Sequence, residues 1–208
     1  MISLFLDTAS NDVIISLFKD ETLIDEIVES NSKQLSSDFI PLLDKILKAN
    51  NMDVKEIDRI YSVTGPGSFT GIRVGVTTSK LIAYCLNKEV VPISELEVMA
   101  TTKVDADYVV PIIDARRDAV YAGIYTQNLK NILPDTRILL SDLKRELEGK
   151  NYVFVGDYEI EDIVKPKYNT VEIIKKHKND PSVNPHLLNP NYLKLTEAEE
   201  KLNDSKNN

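Results

Sequence analysis

Residues 2–18 read ISLFLDTASNDVIISLF, with an apolar run from Ile2 to Leu6, a polar turn from Asp7 to Asp12, and a second apolar run from Val13 to Phe18. Lys19-Asp20-Glu21 makes another turn, and Leu23–Val28 alternates enough for a third strand. Connections this short force antiparallel neighbours, so the chain opens as a three-stranded meander. A helix follows, because Leu35, Phe39, Leu42, Leu43, Ile46 and Leu47 recur at helical spacing. Pro41 is expected one turn inside it, behind a Ser36 or Ser37 cap. Ile57–Thr64 reads as a strand and 70–87 as a second helix opened by Thr70. The order is βββαβα, an α/β class.

The opening then recurs. A shift of 107 residues places Asp7 on Asp114, Val13 on Val120, Leu17 on Ile124 and Phe18 on Tyr125 without a gap. A helix-like 141–148 and a strand-like Tyr152–Val155 continue the parallel, which predicts two related lobes, 1–104 and 105–196, the second reduced. Pro166, Pro181, Pro185 and Pro190 break 157–190 into loops with one candidate strand, Val171–Ile174. The stretch 197–208 is polar with little to bury and is expected to fray.

Composition narrows the function classes. A chain of 208 residues, 42% hydrophobic, can bury a sizeable core. Its 25 Lys+Arg against 33 Asp+Glu, a net charge of −8, argue against gripping a phosphate backbone unaided. Nucleic acid would be reached through a local patch or a basic partner. One cysteine, Cys85, excludes a disulfide framework and a cysteine zinc site, and its place mid-helix among apolar residues reads as core. His177 and His186 are too far apart to share a helix as metal ligands, and no serine has a histidine partner by sequence context. No apolar stretch approaches ~18 residues, so the expectation is a soluble, cytoplasmic protein away from membranes.

Four of the 7 glycines, Gly65, Gly67, Gly71 and Gly75, fall close together. Gly65-Pro66-Gly67-Ser68-Phe69-Thr70-Gly71-Ile72-Arg73 follows a strand and opens a helix, where unpaired N–H groups can cradle an anion. It lacks the Lys-Ser or Lys-Thr of a Walker loop, and a tight turn is the plainer reading. Behind it, Gly71, Gly75, Ser79 and Ala83 form a ridge of small side chains that would let a second helix come close. Gly75 costs about 1 kcal/mol against alanine inside a helix, so something should compensate. The other residues from Ile72 to Leu86 are apolar all round, which predicts burial on every side. Two adjacent helices with surplus apolar surface mark an association site, unless the second lobe covers them. Its expected residues are Leu35, Phe39, Leu42, Leu43, Ile46, Gly71, Ile72, Gly75, Val76, Ser79 and Ala83.

Asp7 and Asp114 end matching strands. With Thr8, Gly67, Ser68 and Arg116 they outline a vestigial nucleotide or anion site, since Ala115-Arg116-Arg117-Asp118 puts arginines where a phosphate loop calls for glycine.

Asp7-Thr8-Ala9, the Gly65–Arg73 motif with its small-residue helix, Asp114-Ala115-Arg116 running into Val120-Tyr121, and Pro190-Asn191-Tyr192-Leu193-Lys194 together resemble the TsaB (YeaZ) family. Asn31-Ser32 stands where many members carry histidine-serine, and Lys194 where they carry arginine. The resemblance implies a two-lobed, actin-like (ASKHA, RNase H-like) fold without a catalytic site or cofactor of its own. It implies pairing with TsaD, the catalytic paralogue, and with the ATPase TsaE, in transferring a threonylcarbamoyl group to the adenosine beside the anticodon of ANN-decoding tRNAs. ATP, ADP or metal would then sit on the TsaD or TsaE side, and tRNA would be reached through the complex. Homodimers through related surfaces also occur in the family. The alternatives are an actin-like phosphotransferase or ATPase acting alone at Asp7, Thr8 and Asp114, or a homodimeric binding module unrelated to tRNA.

Overall fold

The computed structural model describes residues 1–30 and 35–193. The expected fraying tail at 197–208, Asn31-Ser32 and Lys194 lie outside the described residues. The meander is present as β1 (Ile2–Asp7), β2 (Asp12–Lys19) and β3 (Thr22–Ser30). Next come α1 (Leu35–Ala49), β4 (Arg59–Gly65), α2 (Phe69–Leu86), β5 (Glu89–Ser94) and the short α3 (Glu95–Met99). The five strands form one mixed sheet in the order β3-β2-β1-β4-β5, with β1–β4 and β4–β5 parallel. Parallel neighbours require crossovers, which α1 and α2 supply.

The second sheet has the order β8-β7-β6-β9, built from β6 (Tyr108–Asp114), β7 (Ala119–Thr126), β8 (Asn131–Leu139) and β9 (Tyr152–Gly156), with α4 (Leu140–Glu146) between β8 and β9. It repeats the antiparallel meander and the parallel fourth strand of the first sheet. The gapless shift of 107 needs one correction. Asp7 pairs with Ile14, whereas Asp114 pairs with Val120, so the second turn is a residue shorter and the second strand is displaced by 106.

Several local expectations change. Pro41 lies almost two turns inside α1, and Ser36 and Ser37 are helical rather than capping. α2 begins at Phe69, and its cap is Ser68, whose Oγ accepts from the Gly71 amide at 3.2 Å, rather than Thr70. Val171–Ile174 is not a strand but part of α5 (Thr170–His177). Its branched residues suit a strand, yet Asn169 caps the segment, Lys175, Lys176 and His177 complement the dipole at its end, and Ile173 and Ile174 share the buried face.

The chain after β9 does not complete the second lobe. Ile173, Ile174 and Leu188 enter the larger core, built on the first sheet. The Val183 amide donates to the Val90 carbonyl at 2.9 Å and the Asn191 amide to the Thr64 carbonyl at 2.7 Å. Residues 170–193 therefore pack on the first lobe, although sequence order places them in the second. Residues 183–193 form a strap running beside α2.

Candidate functional site

The β1–β2 turn, the start of α2, α3 and the β6–β7 turn converge on a cleft of about 600 Å³ between the two sheets. Gly67, Ser68, Asp114 and Arg116 line it, as the sequence expects of them, while Asp7 and Thr8 are fully buried beneath it. The glycines are explained here by packing. A Cβ on Gly67 would collide with the Ala9 carbonyl, one on Gly71 with the Thr8 carbonyl, and one on Gly75 with the Thr8 hydroxyl. Thr8 Oγ1 donates to the Gly71 carbonyl at 2.6 Å, and the Ser68 amide donates to the Ala9 carbonyl at 2.8 Å. The motif locks helix to turn, and its Ser68 and Gly71 amides already have acceptors within the chain.

Asp7 Oδ1 accepts from the Ala9 amide at 2.7 Å, while Oδ2 and both carboxylate oxygens of Glu95 are buried without a conventional hydrogen-bond partner. Burial raises the Asp7 carboxyl to about 6, against the lowering effect of the Ala9 amide. Burial first, and then the Asp7 charge, push Glu95 well above the usual carboxylate range. Two carboxyls desolvated together hold a proton between them.

Asp114 is built differently. It is half-exposed, accepts from the Arg116 amide at 2.8 Å, and lies 3.8 Å from the largely solvated Arg116 guanidinium. Arg116, Arg117 and Asp118 have φ of 63°, 54° and 57°, a left-handed turn made without glycine. Asp12, Glu95, Asp114 and Asp157 line the cleft against Arg116 and Lys165, an acidic balance that opposes a polyphosphate. Among the described residues, no group of three or more His, Cys, Asp and Glu is arranged to hold a metal.

On the helix pair, the structure corrects the sequence. Leu35, Phe39, Leu43, Ile46, Gly71, Ile72, Gly75, Val76, Ser79 and Ala83 are buried in the chain's own core, and Leu42 is half-buried. The small ridge faces β1, because its periodicity reports close approach without saying to what. α2 is not buried on every side either, and Cys85 is exposed rather than core. The accessible apolar side chains are others: Ile40 and Phe69, each 54% exposed, and Leu81 and Tyr84, each 60% exposed. Phe69, Arg73, Thr77 and Leu81 follow at four-residue spacing opposite the glycine ridge.

The family model for TsaD: tRNA N6-adenosine threonylcarbamoyltransferase matches residues 22–151. The tRNA threonylcarbamoyladenosine biosynthesis protein TsaB of Bacillus subtilis is 31% identical over 225 aligned positions, covering 97% of this chain and 97% of its own. The chain belongs to the TsaB family. TsaB of Haemophilus influenzae is 33% identical over 57% of this chain and 51% of its own. YeaZ from Pseudomonas aeruginosa superposes with a TM-score of 0.75 at 20% identity, covering 92% of this chain and 99% of that one, a likeness of fold. With the two matching sheets, this places the chain in the two-lobed actin-like α/β class.

Two parts of this TsaB-family chain escaped the sequence reading. β5 and α3 bring Glu95 and Glu97 into the interior, and the apolar Val90–Ile93 before Ser94-Glu95 was the available signal. Glu97 meets Lys176 and His177 of α5, with His177 Nε2 3.0 Å from Glu97 and Nδ1 2.6 Å from Asp180. These partners are 80 residues apart, beyond any local pattern.

Proposed function

We propose that this chain is the non-catalytic subunit of a tRNA threonylcarbamoyladenosine synthesis complex. It pairs through the outer faces of α1 and α2 with the TsaD-type transferase that modifies the adenosine beside the anticodon of ANN-decoding tRNAs. TsaE is the third component, tRNA is met through the complex, and the work takes place in the cytoplasm. The chain supplies no nucleotide or metal site of its own. No helix among the described residues is long and apolar enough to cross a membrane.

The observation that carries this reading is the set of large apolar side chains, Ile40, Phe69, Leu81 and Tyr84, standing exposed on an otherwise well-buried helix pair. The cleft supports it from the other side, because its acidic lining and its glycine-free second turn oppose a nucleotide phosphate.

Leu81→Asp and Ile40→Asp test it, since both side chains are exposed and their loss leaves the core intact. Each variant is expected to melt like the parent, to fail to co-purify with TsaD, and to lose threonylcarbamoyladenosine from tRNA, read by nucleoside mass spectrometry. Normal co-purification and full modification would refute the proposal. So would magnesium-dependent ATP turnover by the isolated chain that Asp7→Ala removes.

A further inference from the structure

Two segments of this acidic chain contain no Asp or Glu. Residues 59–88 carry Arg59, Arg73, Lys80 and Lys88, and residues 181–193 carry only His186 among basic and acidic side chains, in a protein of net charge −8. The fold lays the second along the first. Tyr192 stacks on Phe69 with ring centroids 5.2 Å apart, the Arg73 guanidinium lies 3.8 Å over Phe69, and Arg73 Nε donates to the Tyr192 hydroxyl at 3.0 Å. One turn from the far end, Lys80 Nζ donates to the His186 carbonyl at 2.9 Å, and Tyr84 meets the His186 ring edge-on at 4.6 Å. Leu187 projects between these contacts and solvent, 71% exposed. Glu89, the nearest acidic residue in sequence at that end, is held by Arg59 at 2.6 Å.

Resting on the docking role proposed above, we infer that the strap forms half of the docking surface, and that the surface selects a protein partner presenting an apolar helix flanked by Asp and Glu over a second copy of this chain. In a twofold homodimer each patch meets itself, so Arg73 and Lys80 would face their own copies with no acidic residue in either patch to offset them. Opposite a partner's carboxylates, the same cations gain and steer encounter. RNA would also satisfy the cations, but Leu81 and Leu187 have no π-face on which a base could stack.

Thr77 is the probe, because it is exposed in the middle of the Phe69–Leu81 row. Binding of the full chain to the TsaD-type transferase would be titrated by calorimetry at low and raised NaCl. Thr77→Glu is expected to weaken binding about tenfold at low salt and less at high salt, while Thr77→Lys holds or tightens it. Leu187→Asp is expected to weaken binding about tenfold with an unchanged melting temperature.

Equal weakening by Thr77→Glu and Thr77→Lys, or indifference to Leu187→Asp, overturns the inference. So does self-association of the wild-type chain that Leu187→Asp disperses in sedimentation. The same charge dependence with tRNA alone reassigns the surface to RNA and overturns it as well. A wild-type chain that never binds the transferase overturns the docking role itself. Binding lost in Leu81→Asp but blind to Thr77 charge and to Leu187 refutes this inference alone.

Discussion

Asp7 and Asp114 occupy the same place in two sheets of the same plan, and they have opposite surroundings. Asp7 is sealed under α2, whose Gly71 and Gly75 let the helix rest on Thr8. Asp114 has no such lid, because the chain leaves β9 for the first lobe instead of folding a helix over the second turn. One aspartate is therefore desolvated and paired with Glu95, while the other is half in water beside a left-handed run of arginines. Duplicated strands do not make a duplicated site. The helix laid across the strand end decides whether a carboxylate there is buried, and here only one lobe kept it.

The comparison can be broken most violently at the lid. Gly75→Leu drives a side chain into Thr8 and is expected to destabilise the protein by about 3 kcal/mol or leave it insoluble, read by thermal melting or soluble yield. A normally folded Gly75→Leu would show that the small ridge does not hold α2 to β1.

The carboxylates come next. Because Asp7 binds its proton more tightly when folded, stability falls as pH climbs from its unfolded value through about 6. Asn carries no such penalty, so Asp7→Asn should raise stability at neutral pH by about 1–3 kcal/mol, roughly 3–8 °C in Tm. Asp114→Asn should stay within about 0.5 kcal/mol. Equal responses would erase the distinction between the two positions.

The junction between α3 and α5 sharpens the comparison by pH. Carboxylates on both ring nitrogens outweigh burial and raise the His177 pKa, while His177 and Lys176 outweigh burial and lower that of Glu97. The His177 contribution is complete below its unfolded value and is lost as pH rises through the folded one. The Glu97 contribution is lost as pH falls through its lowered one. Wild type should exceed His177→Ala by about 1–2 kcal/mol between those two limits, with the gap closing at either end of melts run from about pH 4 to 9. A gap independent of pH would leave only packing. The smallest effect is at Thr8, where Thr8→Val removes the 2.6 Å bond to Gly71 and should cost about 1 kcal/mol in denaturant unfolding.

Much of the fold was legible because it is written locally. Alternation in 2–28, short polar turns and the echo at Asp114 give two meanders directly. The helical spacing of Leu35–Leu47 gives α1. The site was legible in chemistry but not in orientation. The four-residue spacing of Gly71, Gly75, Ser79 and Ala83 marked a close approach, yet the neighbour is Thr8 of the same chain rather than a partner's helix. Glu95 and Glu97 gave no sign of burial, since their environment comes from strands and a helix distant in sequence.

By itself, the sequence determined which segments are strands and helices, where the chain needs glycine, and that few ligand-bearing residues are present. Those properties depend on side-chain period and backbone sterics within a few residues. Tertiary structure alone decided which face of α2 meets the core, which aspartate loses its water, and that the last described residues return to the first lobe. Each is a choice of neighbour across the chain, and burial, not local pattern, makes that choice.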